Sequence, residues 1–246
     1  MLLFGGAIVR VTLTDVFLRY VKAGLRPFLL VAGALLIATA VMTIWYELRG
    51  ARSAPASADR ASADRASADG AEDHDGHGHG HHEPRVGWLL ILPVLGLLLV
   101  VPPALGAYSA AQAGSVLTAP SDSDYPPLPP GDPAPISLLD YASRAVFDGG
   151  KSLTGRTVRM SGFITSGPDG HPMLARIVLT CCAADGRPIK VGLAGATTVD
   201  AAPNAWVQVD GVYTSQVGKD PVNKVDVAYV EVKSWQQITE PKQPYD

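Results

Sequence analysis

The 246-residue chain carries 20 Lys and Arg against 23 Asp and Glu, a formal net charge of −3. That balance supplies no basic surplus for a nucleic-acid groove, and the two cysteines, adjacent at 181 and 182, cannot frame a disulfide-stapled domain. Hydrophobic residues make up 47% of the chain and cluster in a few runs, which points to membrane spans beside a water-soluble part.

Residues 1–26 read as an interfacial segment. Leu13, Val16, Phe17, Tyr20 and Val21 recur at helical spacing, with Asp15, Arg19 and Lys22 elsewhere on the wheel. The pattern predicts a helix lying on the membrane surface and feeding into a span. The next segment, 27–46 (PFLLVAGALLIATAVMTIWY), has no charge and ends in Trp45 and Tyr46. Roughly 20 helical residues cross a bilayer core, and aromatic residues favour its interface, so this is the first predicted transmembrane helix. Gly33, Ala34, Ala38 and Ala40 are small enough to let another helix approach closely.

Residues 47–85 change character. Ala56–Gly70 is three near copies of a five-residue unit, ASADR-ASADR-ASADG, with no apolar face to bury. The tract EDHDGHGHGHHE follows, with His74, His77, His79, His81 and His82. Neutral imidazoles on a flexible chain can converge on Zn or another transition metal, and the tract is a candidate for weak metal binding. A solvated low-complexity loop with no dedicated ligand is the alternative.

Residues 86–108 (VGWLLILPVLGLLLVVPPALGAY) form the second predicted transmembrane helix, uncharged from Gly87 to Gly106. Arg85 abuts its start, and no Lys or Arg occurs from Val86 to Ser143. The positive-inside rule then places the loop before it in the cytoplasm and everything after it outside, in a multi-pass protein of the cell membrane. Residues 109–135 hold seven prolines from Pro120 to Pro135 and read as a stiff, extended linker.

Residues 136–246 read as a small all-β barrel, OB-like, preceded by a short helix. Ser137 is a helix N-cap, with Asp140 three positions on, and Gly149–Gly150 stops the helix after Phe147. Strand signals occupy Thr157–Ile164, Pro172–Cys182, Pro188–Leu193, Ala205–Tyr213 and Val225–Ile238, with Gly162 and Gly211 placed for bulges or sharp bends. Acidic and basic residues cancel across the domain, so no nucleic-acid partner is expected.

The most unusual string in the domain is Leu179-Thr180-Cys181-Cys182-Ala183-Ala184-Asp185. In a regular strand Cys181 shares a face with Ile177 and Leu179, and Cys182 shares one with Thr180. Cys181 is then expected in the core and Cys182 at the surface. Two readings stand: small apolar fillers, or a thiol or metal site of Cys181, Cys182 and Asp185. A tetrahedral zinc site would have to borrow from Asp185, His171 or another chain. Neighbouring Cα atoms lie about 3.8 Å apart, below the usual disulfide range of about 4.4–6.8 Å, so an ordinary bridge between the two is disfavoured.

The two spans, the His-rich connection, the segment RVGWLLILPVLGLLLVVPPALGAY and the string RIVLTCCAADGRPIKVGL together resemble the YcgQ-like family of bacterial membrane proteins, over nearly the whole chain. The resemblance implies a permease subunit whose integral-membrane partner is encoded nearby. It implies no catalytic residues, and no Ser, His and Asp are joined by sequence into a nucleophile–base set, so no enzyme is expected. The expectation is an accessory subunit of a two-component permease for a zinc-like metal. A metal- or thiol-handling protein acting without a permease and a structural anchor of the envelope are the rivals.

Overall fold

The computed structural model describes residues 1–52, 95–96, 104–117, 125–167 and 170–246. The His tract, the ASADR repeats and most of the second predicted span lie outside them. The described chain divides into two compact units, Met1–Arg10 with Phe28–Pro102, and Val11–Pro27 with Pro103–Asp246.

In the first unit, helix α1 (Leu2–Leu13) packs on α2 (Arg26–Arg52). Two glycines set the approach. A Cβ on Gly5 would lie 2.8 Å from Ile37, and one on Gly33 would lie 2.8 Å from Val9. Small residues at such crossings let backbones come together where lipid offers no hydrophobic drive for association. Among the described residues one helix, Ala23–Arg49, is long and apolar enough to cross a membrane, with a mean hydropathy of 2.3 in its most apolar window.

The second unit is built on a closed barrel of five strands, preceded by a helix. Its elements are β1 (Ala134–Pro135), α4 (Leu138–Phe147), β2 (Thr157–Ser166), β3 (Pro172–Val178), β4 (Arg187–Ala194), β5 (Trp206–Lys219) and β6 (Asp226–Gln237); a short helix α3 (Ala107–Gln112) comes before them. The strand order is β2-β3-β4-β6-β5, and β5 returns to pair with β2. All barrel pairs are antiparallel except β4 with β6. Val158, Met160, Leu174, Ile189, Val191, Val207, Val209, Val230 and Val232 fill the interior. Each such burial contributes about 1.5–3 kcal/mol over exposure.

Local signals explain the frame. Ser137 Oγ accepts the Asp140 N–H at 3.0 Å and opens α4, while Gly149 and Gly150, at φ 61° and 72°, end it. Helix α4 then buries Leu138, Tyr141, Ala142 and Ala145. Gly162 and Gly211 sit where strands crowd. A Cβ on Gly162 would lie 2.5 Å from the Ala175 carbonyl, and the β5–β6 register shifts between Asp210 and Gly211.

Three expectations change. The interfacial helix of 1–26 is broken: α1 ends at Leu13, Asp15 takes a left-handed φ of 58°, and Phe17 is buried in the barrel's unit. The second predicted span cannot extend to Tyr108, because 104–108 lies on the barrel. There Leu105 N donates to Tyr245 Oη, Ala107 N donates to Asn204 Oδ1, and Ala107 itself is buried. The linker 109–135 is not a free extended spacer where it is described. Ser115 N donates to Asp220 Oδ2, Ser115 Oγ accepts the Lys190 N–H, and Val116 N donates to the Pro188 carbonyl. These bonds fasten the segment to the barrel where the sequence, Ala113 to Leu117, shows only small and apolar residues.

Candidate metal site at the thiol turn

Strand β3 stops at Val178, four residues before the apolar run does. The stop comes from Asp185. Its Oδ1 accepts the Thr180 N–H at 2.8 Å, and its Oδ2 accepts the N–H of Cys181 at 2.8 Å and of Cys182 at 3.3 Å. Three successive amides are thereby turned from the sheet toward one carboxylate. A single helical turn, Ala183–Asp185, delivers that carboxylate, and Gly186 leads into β4.

This geometry reverses the expected register of the two thiols. Cys181 is exposed and Cys182 is half-buried. The alternation argument needed strand geometry as far as Cys182. The strand ends earlier, and Leu179, 1% exposed, takes the core position.

The turn brings Cys181, Cys182 and Asp185 together, as the sequence suggested. One donor atom from each, two Sγ and a carboxylate oxygen, lies within 4.8 Å of the others. Metal–thiolate bonds of about 2.3 Å and metal–carboxylate bonds of about 2.0–2.2 Å allow two ligands of one ion to be as much as ~4.6 Å apart, so the cluster is close to what one ion would draw together. His171, exposed at the β2–β3 turn, does not join the cluster. The candidates His74, His77, His79, His81 and His82 lie outside the described residues.

The electrostatics of the turn favour a protonated thiol beside an ionised acid. Cys181 Sγ donates to Asp185 Oδ2 at 2.9 Å. That bond, together with one to Cys182, pushes the Cys181 thiol up to about 11. The same bond, then the backbone N–H of Thr180, pulls the Asp185 carboxyl down to about 2. At neutral pH Cys181 is therefore a poor nucleophile that becomes a ligand only when a metal displaces its proton.

The sequence gives no hint of what packs beside the turn. Val21 forms an antiparallel bridge with Cys182, Lys22 N donates to the Cys181 carbonyl at 3.1 Å, and Ala183 N donates to the Tyr20 carbonyl at 2.6 Å. Lys22 Nζ reaches the Leu179 carbonyl, 157 positions away in the chain, at 3.2 Å. Tyr245 Oη, on a C-terminal segment bridged to Ile177, donates to the Arg19 carbonyl. The segment just before the apolar helix thus completes the frame of the thiol turn. Pairing over such separations leaves no local periodicity to read.

A second polar cluster lies in the same unit. Lys190 Nζ contacts Asp220 Oδ2 at 3.0 Å, with side chains 2% and 0% exposed, and Lys190 also donates to the Ala113 carbonyl. Its members satisfy one another, which marks a structural clasp on the 113–116 strap. A separate open cleft of about 540 Å³ is lined by Leu105, Tyr108, Phe163, Asn204, Trp206 and Glu240.

Residues 145–245 match the family described as the DUF1980 C-terminal domain. The match spans all five barrel strands and the thiol turn, and is consistent with the resemblance to YcgQ-like proteins. No curated protein and no solved structure matches the chain.

Proposed function

We propose that the protein is an accessory membrane subunit of a two-component permease and that it handles a transition metal at the turn of Cys181, Cys182 and Asp185. The observation that carries the metal is the convergence of two thiols and a carboxylate oxygen within 4.8 Å at a partly exposed turn. The His tract, in this reading, gathers the ion weakly, and the turn is where it is held. The permease partner rests on the resemblance of nearly the whole chain to YcgQ-like proteins. The barrel's strand order, with its one parallel pair, supports an OB-like assignment.

The two-span topology has support of its own. Val11–Pro27 and Pro103–Asp246 belong to one compact unit, and the apolar helix Ala23–Arg49 begins within the first of these two stretches of the sequence and continues beyond it. A chain that crosses a bilayer along that helix must cross again before Pro103 to rejoin its own unit. Residues 86–102 are the apolar stretch available for the return. The charge distribution then puts the barrel on the extracytoplasmic side.

A tagged full-length chain, extracted in mild detergent, tests the proposal. An integral-membrane permease should co-purify with it. Isolation of the intact chain with bound metal and no permease would favour the rival reading of metal handling without a permease. Isolation with neither would leave only the structural anchor.

A further inference from the structure

We infer a second binding site, independent of the thiol turn: the open cleft of about 540 Å³ in the barrel's unit takes an alkylammonium group, of which choline is the representative. Its volume falls within the roughly 300–1,000 Å³ usual for small-molecule sites. Three aromatic side chains line it, Tyr108, Phe163 and Trp206, and among the described lining residues Glu240 alone carries a charge. Phe163 and Trp206 are buried and meet edge to face, with ring centres 5.7 Å apart and planes at 69°, so they offer walls in two orientations. Tyr108 is 79% exposed and lines the cleft at the surface.

The chemistry of these walls suits a cation with an apolar body. Aromatic faces attract an ammonium within about 6 Å through their quadrupole, and methyl groups on the nitrogen pack against the same rings. Trp206 already engages one cation, because the Arg176 guanidinium lies 5.4 Å from its ring centre. Asp246 holds that guanidinium at 2.8 Å, which offsets its charge, and Arg176 does not line the cleft. Glu240 is exposed, and among the described residues no Lys or Arg forms an ion pair with it. An anionic ligand would meet this carboxylate with no basic lining residue to offset it. The wall is also held in place. Asn204 keeps a left-handed φ of 68°, and its Oδ1 accepts the Ala107 N–H at 2.6 Å. A residue held in a sparsely populated conformation beside a cavity fits a preformed ligand site.

A free small molecule and a lipid headgroup can carry the same ammonium, and the test separates them. The full-length chain, labelled with fluorotryptophan, is held in a maltoside detergent, which has no ammonium of its own. Fluorine NMR follows the Trp206 signal, assigned by its absence in W206F. Choline should shift that signal saturably, and its neutral carbon analogue, dimethylbutanol, should need about tenfold more to do so. E240Q should weaken choline about tenfold and Y108A about threefold. Both side chains are exposed, so thermal midpoints should not move. In lipid nanodiscs, choline affinity that is the same with phosphatidylcholine as with phosphatidylglycerol alone identifies a free ligand. A several-fold loss with phosphatidylcholine identifies the lipid headgroup. No shift by choline, equal affinity for dimethylbutanol, or unchanged choline affinity in folded E240Q would each overturn the inference and leave the metal reading of the turn intact.

Discussion

Lys190 and Asp220 form an ion pair at 3.0 Å inside the barrel's unit, and the same carboxylate oxygen accepts the backbone N–H of Ser115. One buried acid therefore neutralises a buried ammonium and fastens the strap that leads into the barrel. Removing one partner of such a pair strands the other charge, at a cost of about 3–5 kcal/mol. D220A should lower the thermal midpoint of the purified protein substantially. Replacing the pair together, as K190M/D220L, should recover much of the loss. Equal destabilisation by the single and double variants would show that the strap, and not the charge, sets the cost.

The same acid predicts an acid limb of stability. Burial raises the Asp220 carboxyl, but Lys190 and the N–H groups of Val222 and Ser115 lower it more, so it stays below the ordinary value. A carboxyl held lower in the folded state stabilises at pH above its unfolded value of about 3.9 and loses that contribution as pH falls through the folded value. Urea midpoints should therefore fall steadily below about pH 4, and the slope should shrink in D220N.

At the thiol turn, exposure and reactivity should part company. Cys181 is exposed yet raised to about 11 by its bond to Asp185. Only ~10⁻⁴ of it is thiolate at pH 7, and alkylation should be slow. In a C182S background, D185N should speed iodoacetamide labelling on the order of 10²-fold as the thiol returns toward about 8.5. An unchanged rate would mean that the Cys181–Asp185 bond does not control the thiol.

The bridge between Val21 and Cys182 can be captured chemically. Facing residues of an antiparallel pair have Cα atoms about 4.5–5.5 Å apart, inside the range of a disulfide. V21C in a C181S background should cross-link to Cys182 under mild oxidation, visible as a mobility shift on a non-reducing gel. Two freely alkylated thiols that never cross-link would separate the pre-span segment from the barrel and remove the argument for a return crossing.

Gly162 is required by packing. A Cβ there would sit 2.5 Å from the Ala175 carbonyl and 3.1 Å from Leu174, and backbone cannot yield cheaply. G162A should cost about 1–3 kcal/mol, read as a shift in the denaturation midpoint. No shift would mean that β2 and β3 are less closely paired than described.

Much of the barrel was legible because its signals are local. The cap at Ser137, the stop at Gly149–Gly150, the alternation of Trp206–Tyr213 and the glycines at 162 and 211 act on neighbouring residues. The grouping of Cys181, Cys182 and Asp185 at one turn was legible too, since the three lie within five consecutive residues. Its orientation was not. Side-chain alternation assumes that a strand continues, and Asp185 ends this one by collecting three amides, so the exposed thiol is Cys181. The docking of Tyr20–Lys22 and of Tyr245 on the turn was hidden for another reason. These are backbone contacts between distant segments, made by residues whose own sequence fits other roles equally well.

The central claim is that the thiol turn holds a transition metal in the membrane-embedded protein. The most direct test is the metal content of the full-length chain isolated from membranes in chelator-free buffer, compared with C181S/C182S prepared in parallel and with an unchanged His tract. The account predicts about one equivalent more of a transition metal in the parent chain than in the variant. Identical metal content in the two, with both folded and both thiols of the parent free to alkylate, would contradict it.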